Sequence, residues 1–232
     1  MQAIQILQQG TVIPAIPLAL TAQRRFDERR QRALVRYYLD AGAGGLAVGV
    51  HTTQFAIRSA GLLEPVLRAA AEEIRAFERR SGTVVVKVAG VCGPAGQAVR
   101  EASLASRLGY DAVLLSPGGL ADLSEQELLD RAQRVAVVLP VVGFYLQAAV
   151  GGRRLSRDFW RRLCNIENVA AVKCAPFDRY RSLDLVLGCA MSDRCDQVAL
   201  YTGNDDNIVA DLLTPYVFTL DGKRVEKRFV GG

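Results

Sequence analysis

Asn168-Val-Ala-Ala-Val-Lys-Cys-Ala-Pro-Phe177 holds a short apolar run, Val169 to Val172, that ends in a lysine and meets a proline three residues later. Val and Ala continue without alternation and Pro176 forbids an extension, which predicts a buried strand. An ammonium at the mouth of such a strand faces low-dielectric surroundings, which disfavour its charged form. A lysine partly neutral near pH 7 can attack a carbonyl and form a Schiff base. The alternative is a lysine whose stem snorkels from the strand end to solvent. The choice depends on what else gathers at that end of the sheet.

Outward from this strand, extended runs alternate with helical patterns. The extended runs are Thr11–Ile16, Gly45–Val50, Thr83–Ala89, Asp111–Leu115, Val141–Tyr145, Val169–Lys173, Gln197–Thr202 and a weaker one around Arg228–Val230. Helical patterns cover 27–41, 62–80, 97–108, 124–138, 156–164, 180–191 and 207–213. Gly42, Gly44 and Gly82 are stop signals, and Ser124 with Glu127 has capping-box spacing. This alternation predicts parallel strands joined by crossovers, and eight units predict an α/β fold of the (β/α)8 TIM-barrel type, one domain over residues 1–232. A doubly wound open sheet would carry a glycine fingerprint after its first strand, where Pro17-Leu-Ala-Leu20 stands instead. The barrel reads as cut short after its eighth strand, with no helix to cover it. Exposed apolar surface of that kind predicts self-association. Phe218–Lys227 reads as a hairpin about Asp221-Gly222, unusual between barrel elements.

Composition narrows the function classes. Half of the 232 residues are hydrophobic, yet no apolar run reaches the roughly 18 residues of a membrane span. Met1–Gly10 lacks the marks of a signal peptide. Five scattered cysteines without a C-x-x-C pair suggest reduced thiols and a cytoplasmic location, neither a disulfide frame nor a zinc site. The net charge of +5 comes from arginines spread over helix faces, with no nucleic-acid recognition motif. The expected partner is a small molecule, with no nucleic acid, membrane, metal or cofactor.

The strand ends would gather Thr52, Thr53, Gly90–Gly96, Tyr145, Lys173 and Asn204–Asp206 at one mouth. Tyr145 and Lys173 lie on neighbouring strands, about 4.8 Å apart. A phenol beside a Schiff-base lysine can pass protons. Thr52 can orient that phenol, and backbone N–H groups near Thr53 can hold a carboxylate. Each also has an ordinary reading, Tyr145 as a rim aromatic and the threonines as β-branched strand enders. His51 is more often structural when it stands alone, and Asn204-Asp205-Asp206 reads as a turn or helix cap before it reads as a metal site. Cys174 should point away from Lys173 by strand alternation.

These residues resemble the dihydrodipicolinate synthase/N-acetylneuraminate lyase family of class I aldolases. The resemblance rests on His51-Thr-Thr53, Ala89-Gly-Val-Cys-Gly93, Tyr145, Val172-Lys173 with the lysine 28 residues after the tyrosine, and Gly203-Asn-Asp-Asp206. It implies a TIM barrel assembled as a homo-oligomer, dimer or tetramer, acting as a lyase or aldolase on pyruvate or another 2-oxo acid. It implies Lys173 as the imine former, Tyr145 as the proton relay, Thr52 and Thr53 as the carboxylate-binding and relay pair, and Gly203 beside the substrate. The departures are Val150, where the family's synthases carry a carboxylate-binding arginine, Pro117-Gly-Gly119 for Pro-Tyr-Tyr, Gln54-Phe55 for Gly-Glu, and the family's missing C-terminal helices. They argue against dihydrodipicolinate synthase itself. The alternative is a catalytically silent barrel that binds a small oxo acid or serves assembly.

Overall fold

The computed structural model describes residues 2–232. Local signals in the chain set the helix ends. Asp27 caps α2 (Glu28–Asp40) by accepting from Arg30 N, and Gly82 closes α3 (Leu63–Ser81) at φ +71°. Ser124 and Glu127 form the expected reciprocal capping box on α5 (Glu125–Ala136). Ser156 caps α6 (Arg157–Asn165) by accepting from Phe159 N, and Asp178 caps α7 (Arg179–Ala190) by accepting from Arg181 N. α1 (Gln2–Gln9), α4 (Ala95–Arg107) and α8 (Ile208–Leu213) bring the described helices to eight.

The strands are β1 (Gly45–Val48), β2 (Val86–Val91), β3 (Ala112–Leu115), β4 (Val141–Leu146), β5 (Val169–Ala175), β6 (Ala199–Thr202) and β9 (Phe229–Gly231). They form one curled parallel sheet of seven strands in the order β1-β2-β3-β4-β5-β6-β9. The segment expected as the first strand, 11–16, bridges the two sheet edges without becoming a regular strand. On one side Gly45 N donates to Val12 O at 3.2 Å, Ala47 N to Pro14 O at 3.0 Å and Ile16 N to Ala47 O at 3.0 Å. On the other side Ile13 N donates to Gly232 O at 2.8 Å. Pro14 lacks an N–H, which interrupts the ladder.

Alternation along the strands separates two apolar layers. Val88, Leu114, Val142, Phe144 and Tyr201 point into the curl, while Val113, Val172, Cys174 and Leu200 pack under the helices. α1, for which the sequence had given no helical expectation, supplies Ala3 and Leu7 to the inner layer, and Tyr201 Oη donates to Leu7 O at 2.7 Å. The N-terminal end of the curl is thereby plugged. The expected hairpin is present as β7 (Tyr216–Leu220) and β8 (Lys223–Lys227), with Asp221 and Gly222 both at positive φ. The expected bare final strand is corrected: Phe229 of β9 is only 3% exposed and meets Tyr216 edge to face. Exposed apolar side chains lie on α8 instead, at Val209 and Leu213.

Candidate active site

A cleft of about 370 Å³ opens at the C-terminal ends of the strands. His51, Lys173 and Asp205 are the ionisable side chains that line it. A narrower apolar hollow of about 40 Å³, walled by Leu7, Val88, Val142 and Tyr201, reaches Lys173 from the plugged end.

Lys173 points into the curl because Ala171, Lys173 and Ala175 alternate inward along β5. In the sheet register it stands between Phe144 of β4 and Tyr201 of β6. Its ammonium lies 5.3 Å from the Phe144 ring centroid and makes no ion pair among the described residues. Burial pushes its pKa down, and the Asp205 carboxylate, beyond ion-pair distance, partly opposes that shift. Gly203 N donates to Cys174 O at 2.7 Å, and a Cβ on Gly203 would stand 2.5 Å from Lys173 Cε. Only glycine leaves the lysine stem its place there.

The loop that carries Asp205 is braced from behind. Asp211 accepts from Thr202 Oγ1 at 2.7 Å and Asn204 Nδ2 at 3.0 Å. Asn204 Oδ1 accepts from Phe177 N at 3.0 Å, holding Phe177 at φ +54° on the cleft wall. The Asn204–Asp206 turn is thus a scaffold, as its composition suggested, with Asp205 turned to the cleft. Among the described residues no group of three or more His, Cys, Asp or Glu side chains could hold a metal.

The other expected residues divide. Thr52 is exposed and lines the cleft, beside His51. Thr53 is wholly buried: its hydroxyl donates to Ile16 O at 2.6 Å and accepts from Gly49 N at 3.1 Å, and its N–H is committed to Val50 O. Its polar groups tie the first segment to the end of β1 and are not presented to the cleft.

Tyr145 is not brought to Lys173. The register between β4 and β5 runs Val141↔Val169 and then Val142↔Ala171, so a bulge at Ala170 pairs Phe144 with Lys173 and Tyr145 with Cys174. Tyr145 therefore faces outward with Cys174, wholly buried, its ring 4.8 Å from that of Trp160. Its phenol oxygen accepts from Leu155 N at 3.4 Å. Gly90–Gly96 is also structural: Arg58 pairs with Glu101 at 3.0 Å, donates to Gly90 O, and Glu101 accepts from Cys92 N. The sequence carries no expectation for Phe144 or Phe177, and it places Asp205 at the mouth as part of a turn or helix cap before a metal site. Strand alternation puts Phe144 opposite Tyr145, but the bulge that chooses between them leaves no mark in either strand alone.

Comparison with known proteins agrees with this architecture. Residues 8–214 match the model of the dihydrodipicolinate synthetase family. The N-acetylneuraminate lyase of Citrobacter koseri is 28% identical over 205 residues, 87% of this chain and 65% of that protein. The Escherichia coli enzyme of the same name is 27% identical over the same shares. Among solved structures, dihydrodipicolinate synthase DapA-2 of Bacillus anthracis superposes with a TM-score of 0.74 at 22% identity, over 87% of this chain and 65% of that one. YagE of E. coli K12, solved in complex with pyruvate, gives 0.74 at 20% identity, over 85% and 64%. The chain thus spans about 65% of the length of the curated relatives it matches. With the curled parallel sheet, the plugged end and the lysine of β5 in place, the chain belongs to the dihydrodipicolinate synthetase family.

Proposed function

We propose that this chain acts as a lyase or aldolase on a pyruvate-like 2-oxo acid through an imine on Lys173. The observation that carries the proposal is a half-buried lysine, free of any ion pair among the described residues, at the inner end of the cleft. Desolvation favours the neutral amine, the form that attacks the keto carbon. Loss of water from the carbinolamine then gives the imine, an electron sink that allows a carbon–carbon bond two atoms away to break or form. Thr52, on the cleft wall, is suited to meet the substrate carboxylate. The proton relay passes from Tyr145, which lies behind the sheet, to Asp205, with His51 as the second titratable group of the cleft. The names of the relatives, N-acetylneuraminate lyase among them, and the pyruvate bound in YagE support the substrate class.

Borohydride reduction in the presence of pyruvate tests this reading. The wild type should gain the mass of one reduced pyruvyl group on Lys173, and Lys173→Arg, with its circular dichroism unchanged, should gain none. An unlabelled wild type, or equal labelling of the variant, would end the proposal. The outward position of Tyr145 favours one second reading, a barrel that binds the oxo acid without turning it over. Trapping without pyruvate release from any 4-hydroxy-2-oxo acid would support it.

A further inference from the structure

The outer half of the cleft has a chemical character that the lysine does not explain. Val150, Phe177 and Ile208 all line it, and they are 39%, 37% and 36% exposed respectively. Leu146 continues the same wall inward. Large apolar side chains left open around a concave site mark ligand contact. Phe177 adds a second observation. A bulky residue at φ +54° is strained, and Asn204 holds it there through the bond from Phe177 N to Asn204 Oδ1. Asn204 is itself held by Asp211 and Ser182, so the aromatic ring is presented by a rigid support. Charge supplies the third. Among the described residues that line the cleft Lys173 is the only lysine or arginine, and Asp205 puts a carboxylate on the same wall. A second substrate with its own carboxylate would find no guanidinium fork and would meet a like charge.

We infer that this outer half is an apolar subsite and that the chain's second substrate is an uncharged aldehyde with an aliphatic or aromatic end, with Phe177 its specificity-determining residue. The inference rests on the imine reading above. In the synthetic direction the enamine carbon of the Lys173–pyruvate adduct adds to the aldehyde carbon. The new alkoxide takes a proton, and water releases a 4-hydroxy-2-oxo acid and the free amine. The reaction needs no oxidant or reductant.

The test pairs pyruvate with benzaldehyde and, separately, with glyoxylate, and follows product formation beside borohydride trapping with pyruvate alone. The wild type should favour benzaldehyde in kcat/KM. Phe177→Ala should lower that value about tenfold or more, chiefly through KM, and should lower it at least tenfold more than it lowers the value for glyoxylate. Val150→Arg should move the preference about tenfold toward glyoxylate by supplying the missing cation. A wild type that prefers glyoxylate, a Phe177→Ala that affects both aldehydes equally or neither, or product from neither aldehyde despite normal trapping would overturn the subsite while leaving the imine intact. Failure of trapping itself would overturn both.

Discussion

Lys87 and Lys173 both stand on strands of the curled sheet, and their surroundings differ. Lys87 of β2 is 7% exposed and faces the helices, where its ammonium lies 3.0 Å from Glu78 and 3.3 Å from Asp111 and donates to Val85 O. Lys173 of β5 is half-buried and faces the interior, against the Phe144 ring, with no carboxylate at pairing distance among the described residues. A buried lysine with two carboxylates at pairing distance is fixed in place, and it belongs to the scaffold. A half-buried lysine without one carries a desolvation cost that can be relieved by losing a proton or by becoming an imine. Burial of a lysine is therefore not the functional signal. The missing partner is.

The largest test of this contrast removes the one distant carboxylate that Lys173 feels. Asp205→Asn should lower the lysine's pKa further, because Asp205 favours the charged form, and the rate of imine trapping should then plateau at lower pH than in the wild type. Turnover should fall about a hundredfold if Asp205 passes the proton. Trapping and turnover that both keep their wild-type pH profiles would remove Asp205 from the site.

Next in size is the scaffold lysine. Lys87→Met leaves Glu78 and Asp111 without their cation, and with those carboxylates partly exposed the cost should be about 2–3 kcal/mol in urea unfolding. Trapping on Lys173 should survive. Lys173→Met should do the opposite, abolishing trapping and stabilising the fold at neutral pH. The sign follows from the depressed pKa. Below the folded-state value both states are protonated and the wild type bears the full burial penalty. As pH rises from that value toward about 10.4 the folded lysine is already neutral while the unfolded one still loses protons, so the wild type gains stability. The advantage of Lys173→Met should shrink across that window. An advantage that grows with pH, or none at neutral pH, would show that Lys173 is not held against its charge.

The smallest expected effect concerns the tyrosine. Tyr145→Phe removes only a long bond from Leu155 N on the helix side of the sheet, so it should cost under about 1 kcal/mol. Trapping and turnover should be unchanged. A drop in turnover of a hundredfold or more would mean that the phenol reaches the substrate, and the outward register of β4 would have to be abandoned.

What the amino-acid sequence determined alone is what short-range interactions decide. The alternating elements, the Ser124–Glu127 capping box, the Asp221-Gly222 turn and the inward-ending lysine strand all rest on residues within a few positions of each other. Tertiary structure decided which side chains meet. One extra residue at Ala170 moved the pairing between β4 and β5 by one position and exchanged Tyr145 for Phe144 beside Lys173. Thr53 turned its hydroxyl to Ile16 for a similar reason: the partner lies 37 residues earlier and closes the sheet. α1 found its place only because the curl left an open end lined by Ala47, Val86 and Tyr201. Side-chain period in a strand is two, so each face is legible to within one choice, and that choice is made by contacts with strands distant in sequence.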